Sequence, residues 1–308
     1  MNEYAIGVDL GGTNLRAAAI DRSGRMMDKI SGSADYSEGR DAVIDDIVGA
    51  INKLKAGCGS ARLAGVGVGV PGFILIEKGV IVGSHNLPGF NDFPVRDEIE
   101  KKLGTPVILE NDANAAALGE KWIGAGREVD DLVLLTLGTG IGGGIIIGGK
   151  VLHGYVGMAA ELGHITVSPN GNPCGCGNQG CLEKHASATA IESMAKLAGL
   201  GDNLTAEEVY HLAMEGDEIA KRIFAVMGEA LGIGLANLIS TFNFPLYLLS
   251  GGVLAAWDLF APSMLAEIER RSFTYRNVKT RICKATLGKE AGLFGSAYLP
   301  FLHQFPNV

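Results

Sequence analysis

Two stretches of the chain repeat one pattern: Tyr4-Ala-Ile-Gly-Val-Asp9-Leu-Gly-Gly-Thr13-Asn-Leu-Arg16-Ala-Ala-Ala-Ile20, and Asp131-Leu-Val-Leu-Leu-Thr136-Leu-Gly-Thr139-Gly-Ile-Gly-Gly-Gly144-Ile-Ile-Ile147. In each, a short apolar run enters a glycine-rich turn and a second apolar run leaves it. Asp21-Arg-Ser-Gly24 closes the first and Gly148-Gly-Lys150 the second, and runs of this length bounded by such residues read as strands. The pattern predicts two hairpins with no helix after the glycines. Alone, either loop reads equally well as a tight turn. Two of them, one opening each half, predict an α/β fold of two similar domains facing a cleft, each able to aim backbone N–H groups at phosphate.

The glycine spacing also matches nucleotide motifs that the flanking residues reject. Gly67-Val-Gly69-Val-Pro-Gly72 and Gly138-Thr-Gly140-Ile-Gly-Gly143 satisfy G-x-G-x-x-G, but the dinucleotide fingerprint needs a helix directly afterwards. Pro71 and Phe73-Ile-Leu-Ile76 argue against a helix in the first, and Ile145 to Ile147 in the second. Gly144 to Lys150 matches most of a P-loop, yet Val151 stands where Ser or Thr must hold magnesium.

Composition sets broad limits. A length of 308 residues suits about two domains of roughly 150 residues each, enough to bury a full core. The net charge of -8 gives no electrostatic reason to expect nucleic acid. No apolar run approaches the ~18 residues that span a bilayer, so no membrane partner is expected. The 45 glycines stand out, and many cluster in a few loops where backbone can approach a ligand.

Thr105-Pro-Val-Ile-Leu-Glu-Asn-Asp112-Ala-Asn-Ala-Ala-Ala-Leu-Gly-Glu120 reads as a strand running into a helix, with Asn111 or Asp112 able to cap it. A carboxylate at such a junction, facing a cleft, also suits a general base. With glycine loops for polyphosphate, phosphoryl transfer is the reaction class these residues predict.

Between Glu161 and Glu183 the chain carries His164, Cys174, Cys176 and Cys181, one imidazole and three thiols. That is the ligand inventory of a closed tetrahedral zinc site, in which the metal is structural. Cys174 and Cys176 are spaced poorly for a mutual disulfide. The cysteine count is five, an odd number, and no apolar secretory segment opens the chain, so a reduced, cytoplasmic setting is expected. Cys58 and Cys283 are expected to be small buried hydrophobes.

Asp9-Leu-Gly-Gly-Thr13, Glu110-Asn-Asp112-Ala-Asn114, Leu137 to Gly144, Glu161-Leu-Gly-His164 and Cys174-x-Cys176-x4-Cys181-Leu-Glu183 together resemble the ROK family of sugar kinases and repressors, in the family's order across most of the chain. Asn86-Leu-Pro-Gly89 and Glu110 to Asn114 look most like the ATP-dependent glucokinases. The resemblance implies the actin-like, hexokinase-like ATPase fold. It makes Asp112 the base for the sugar's 6-hydroxyl, with Asn86, Asn111, Glu161, His164 and Glu183 on the other hydroxyls. His164 would give one ring nitrogen to zinc and the other to sugar, its tautomer fixed by the metal. Gly11, Gly12, Thr13, Thr139 and Gly140 match the family's phosphate loops, Asp9 its magnesium-associated carboxylate, and Gly251-Gly252 its adenosine-side loop. One departure is Ala159-Ala160, where relatives usually carry a glycine.

The expected reaction joins glucose and Mg-ATP in the interdomain cleft, whose closure excludes water. Other ROK kinases act on N-acetylmannosamine, N-acetylglucosamine, mannose or fructose. A ROK repressor would place a helix-turn-helix ahead of the first strand, which here starts by Tyr4. The expected domains are 1–116 with 290–308, and 117–289 carrying the zinc loop, because Ala291 to Pro300 looks helical and in the family returns to the N-terminal domain. The resemblance implies a homodimer or homotetramer. The small residues Gly228 to Asn237 read equally as helix core or as interface.

Overall fold

The computed structural model describes residues 3–84 and 86–302. Its elements run β1 (Glu3–Leu10), β2 (Asn14–Asp21), β3 (Met26–Ser33), α1 (Arg40–Gly57), β4 (Arg62–Val70), β5 (Phe73–Leu75), β6 (Val80–Gly83), α2 (Val95–Leu103), β7 (Val107–Asn111) and α3 (Asp112–Trp122). There follow β8 (Leu132–Leu137), β9 (Ile141–Ile147), β10 (Lys150–Val151), α4 (Glu183–Ala186), α5 (Ala188–Leu197), α6 (Ala206–Met214), α7 (Glu218–Phe242), β11 (Leu246–Ser250), α8 (Trp257–Arg271), α9 (Phe273–Asn277), β12 (Arg281–Lys284) and α10 (Ala291–Leu302). Both glycine turns join strand to strand. Neither rejected glycine motif opens a helix, since β5 follows one and β9 begins within the other.

The chain divides into two compact units. One holds the residues up to Asp130, 144–160 and those from Thr286 onward; the other holds 131–143 and 161–285. This differs from boundaries at 116 and 290. Helix α3 is continuous through Trp122, and a Cβ on its Gly119 would lie 2.2 Å from the Ala291 carbonyl oxygen of α10, so α3 belongs with α10 throughout its length. Residues 144–160 join the same unit because Gly144 lies against Ala113 and Ala117 of α3.

The first unit is built on a sheet of order β3-β2-β1-β4-β7. β1, β2 and β3 form an antiparallel meander, while β4 and β7 run parallel to β1. Period-two alternation sends Ile6, Val8 and Leu10 into one core with Ile44, Ile47 and Ile51 of α1. The opposite face carries Ala18 and Ile20, packed with Leu293 and Ala297 of α10. Here α10 comes so close that a Cβ on Gly67 would lie 1.9 Å from the Ser296 carbonyl oxygen, and one on Gly7 2.4 Å from that of Leu293. These glycines are the floor of a helix groove. Asp9, in phase with Gly7, emerges on the same face beside Gly292.

In the second unit the strand order is β9-β8-β11-β12, and β11 runs parallel to both β8 and β12. Helix α7 packs along α8. Its Gly228 and Gly232 admit α8 backbone, their Cβ positions lying 2.3 Å from the Phe260 and 2.5 Å from the Met264 carbonyl oxygens. The small-residue stretch is therefore packed core within this unit. By length and composition α7 is apolar enough to cross a membrane, contrary to the sequence expectation, but 67% of its most apolar window is buried. A helix covered on most sides needs no polar face. Cys58 is buried, whereas Cys283 on β12 is only partly so.

Candidate active site

In the first unit, Gly11-Gly12-Thr13 is the whole turn between β1 and β2. Gly11 N–H donates to Asn14 O at 2.8 Å, and Ala34 N–H to Thr13 O at 3.0 Å. The Tyr36 hydroxyl donates to Gly11 O at 2.8 Å, and burial pushes it up to about 12, which keeps its proton in place. Asn86 lies against the turn, its carbonyl oxygen 3.3 Å from the Cβ position of Gly12. Asp9 is 8% exposed and its Oδ2 meets Arg16 Nη2 at 2.5 Å. Burial raises its pKa even so, with Arg16 pulling the other way.

At the β7–α3 junction Asn111 is the cap, its side-chain oxygen accepting from Ala113 N at 2.9 Å and Asn114 N at 3.2 Å. That leaves Asp112 as the first helical residue, its Oδ1 2.9 Å from Ala113 N. Burial first, and the negative charge of Asp9 second, push Asp112 up to about 6, against the pull of the Ala113 N–H. A carboxylate so poised is a base near neutral pH.

The sequence reading missed how this junction is held. Glu110 is 1% exposed; its Oε1 accepts from Asn111 N at 2.8 Å and Asn114 Nδ2 at 3.0 Å, and its Oε2 meets His153 Nε2 at 2.6 Å. That hydrogen bond raises the His153 pKa, opposed by partial burial. The only local signal was a carboxylate at the end of an apolar strand. Its partner lies 43 residues away.

In the second unit, Gly138-Thr139-Gly140 joins β8 to β9, with Gly138 N–H donating to Gly140 O at 3.0 Å. Gly142 N–H donates to Thr136 Oγ1 at 3.1 Å. Gly251, at φ +102°, brings its Cβ position within 2.2 Å of Leu137 O, which only glycine permits. The Gly251-Gly252 turn thus lies beside the entrance to the Thr139 loop.

Glu161 is exposed and precedes the 3-10 turn Leu162–His164. Ala160, the departure noted in the sequence, sits at φ +68°, a left-handed conformation that costs a non-glycine residue roughly 1–2 kcal/mol. The ligand atoms of His164, Cys174, Cys176 and Cys181 all lie within 4.8 Å of one another. Zn–S and Zn–N bonds of about 2.3 and 2.0–2.1 Å put tetrahedral edges at about 3.8 Å between sulfurs and about 3.6 Å from sulfur to nitrogen. Cys176 and Cys181 sulfurs are 3.7 Å apart and Cys174 Sγ is 3.6 Å from His164 Nδ1. The donor set fits structural zinc, and Nδ1 is the nitrogen on the sulfur side.

Glu183, the first residue of α4, lies where the sequence did not foresee. Its Oε2 accepts from Ile141 N at 3.1 Å and would lie 2.3 Å from a Cβ on Gly140. A carboxylate assigned to sugar is seated on the second glycine loop.

The profile of the ROK family matches residues 5–301. A glucokinase from Halalkalibacterium halodurans is 37% identical over 314 residues, covering 97% of this chain and 95% of the relative. The crystal structure of a ROK hexokinase from Thermus thermophilus superposes with a TM-score of 0.89 at 37% identity, covering 97% of this chain and 98% of that one. A ROK family glucokinase from Streptomyces griseus, solved in complex with glucose and AMPPNP, gives 0.80 at 34% identity, covering 97% and 100%.

Proposed function

The chain belongs to the ROK family and has its actin-like ATPase fold, and on that premise we propose that it transfers the γ-phosphoryl group of ATP to the 6-hydroxyl of glucose, yielding glucose 6-phosphate and ADP. The observation that carries this reading is the setting of Asp112: a capped helix start, a neighbouring carboxylate, and a pKa pushed up to about 6. The similarity to glucokinases, one of them solved with glucose and AMPPNP, supports the acceptor and the donor.

In this mechanism Asp112 accepts the proton of the 6-hydroxyl as that oxygen attacks the γ-phosphorus. Asn86, Asn111, Glu161, His164 and Glu183 are assigned to the remaining hydroxyls, and the backbone N–H groups of Gly11, Gly12, Thr13, Thr139 and Gly140 to the phosphates. Gly251-Gly252 is assigned to the adenosine side. Asp9 is the carboxylate for magnesium: Arg16 engages its Oδ2, leaving Oδ1 as the hard oxygen donor. Magnesium, when bound, neutralises charge on the transferring phosphates. Zinc, when bound, orients His164, whose Nε2 is then free for a sugar hydroxyl. A homodimeric or homotetrameric assembly, from the family resemblance, and a cytoplasmic setting, from the odd cysteine count, complete the proposal.

An ADP-release assay across hexoses and N-acetylhexosamines, with and without magnesium, tests it. The expected result is magnesium-dependent turnover that prefers glucose. A preference for an acetylated sugar would replace the acceptor, and no turnover with any sugar would end the kinase reading.

A further inference from the structure

The zinc-bearing segments do more than present sugar ligands. Ile141 is the residue at which the second glycine loop becomes β9, and it is gripped on both sides of its backbone. Its N–H donates to Glu183 Oε2 at 3.1 Å. Its carbonyl oxygen lies 2.1 Å from the Cβ position of Gly163, so the Leu162–His164 turn rests flush against it. Gly163 directly precedes the zinc ligand His164, and Glu183 follows the buried ligand Cys181 by two residues. The two gripping residues therefore hang from opposite sides of one metal site. A backbone hydrogen bond from Leu182 N to Ile165 O, 2.9 Å long, joins the same two segments.

The grip continues along the loop. Ser187 caps α5 by accepting from Ala190 N at 3.1 Å. At that helix start Ala188 N–H donates to Gly138 O at 2.9 Å, and the Thr189 hydroxyl donates to Thr139 O. Gly138, Thr139 and Ile141 are thus all held by the turn before His164 or by the run that begins just after Cys181. A phosphate-binding turn depends on the direction of its N–H groups, and these contacts set that direction.

We propose that the zinc-stapled segments position the second glycine loop, with Glu183 and Gly163 as the transmitting residues, so that metal loading governs nucleotide binding as well as sugar binding. Glu183 is then a positioning residue for the nucleotide. The inference rests on the kinase reading for its ligand, AMPPNP serving as the probe.

The test is calorimetric titration of AMPPNP into zinc-loaded protein without sugar, alongside amide hydrogen exchange at Ile141 and measurement of bound zinc. Glu183→Ala should weaken AMPPNP binding about tenfold and speed Ile141 exchange while zinc stays bound. Glu183→Gln keeps an acceptor for the Ile141 N–H, and should restore AMPPNP affinity to within threefold of wild type. Stripping zinc from the wild-type chain should reproduce the Glu183→Ala result. AMPPNP affinity within twofold of wild type in both Glu183→Ala and the stripped protein would overturn the proposal and leave Glu183 a sugar contact alone. Failure of the kinase reading shows elsewhere, as wild-type protein that binds AMPPNP but phosphorylates no sugar.

Discussion

At the scale of the residue, Asp112 shows how a helix start leaves a carboxyl raised to about 6, the setting the proposed base needs. An aspartate at a strand-to-helix junction is usually consumed as a cap, but Asn111 makes the capping bonds here. Asp112→Asn is expected to lower kcat by about 10²- to 10⁴-fold, the usual worth of a positioned base, while glucose binding stays measurable by calorimetry. Because the proposed base acts ionised, wild-type kcat/KM should fall as pH drops through about 6. The same shift has a stability consequence of definite sign. A carboxylate whose folded-state pKa lies above its unfolded value, about 3.9, loses native stability as pH rises from that value to about 6. Asp112→Asn should therefore unfold at higher temperature than wild type at pH 7, a variant more stable and nearly inactive.

At the scale of the element, α10 and α3 explain glycines that stand outside the turns. Gly7 and Gly67 lie inside strands, Gly119 and Gly295 inside helices, and each lets backbone meet backbone where a side chain would collide. Gly67→Ala should destabilise the fold by about 1–3 kcal/mol, the usual cost of overpacking, measurable by denaturant unfolding, with the glycine turn at Gly12 untouched. The far end of α3 carries Glu120, fully buried. Its carboxylate accepts from Thr286 N at 2.9 Å, Leu287 N at 2.7 Å and Ala125 N at 2.8 Å. A buried polar group satisfied in this way is tolerated, and it fastens the chain where it re-enters the first unit on the way to α10. One helix thus carries the proposed base at its start and a structural carboxylate at its end. Helical periodicity does not separate the two, because what differs is the partner each meets.

For the whole molecule, the proposed zinc is the component whose removal should be felt most widely. Metal that binds the folded chain stabilises it by mass action, so chelation should lower the thermal midpoint and make it depend on free zinc concentration. An unchanged midpoint in zinc-stripped protein would argue against a structural metal. Several large features of the molecule are written locally. Strand–glycine–strand punctuation gave the two hairpins, cysteine and histidine spacing gave the four converging ligand atoms, and Asn111-Asp112 marked the start of α3. These are legible because turns, caps and metal loops are set by residues within a few positions of one another. Three things lay outside that range: the His153–Glu110 pair that holds the β7–α3 junction, the seat of Glu183 on the Gly140 loop, and the groove of glycines beneath α10. Each joins residues about forty to more than two hundred positions apart, and nothing in local periodicity says which distant backbone a small residue or buried carboxylate will meet. The sequence by itself determined the two hairpins, the strand-to-helix junction at Asn111-Asp112, the four candidate metal ligands and the family the chain resembles. The tertiary structure alone decided which groups hold those elements in register, because packing and hydrogen bonding act through space between residues that the chain separates.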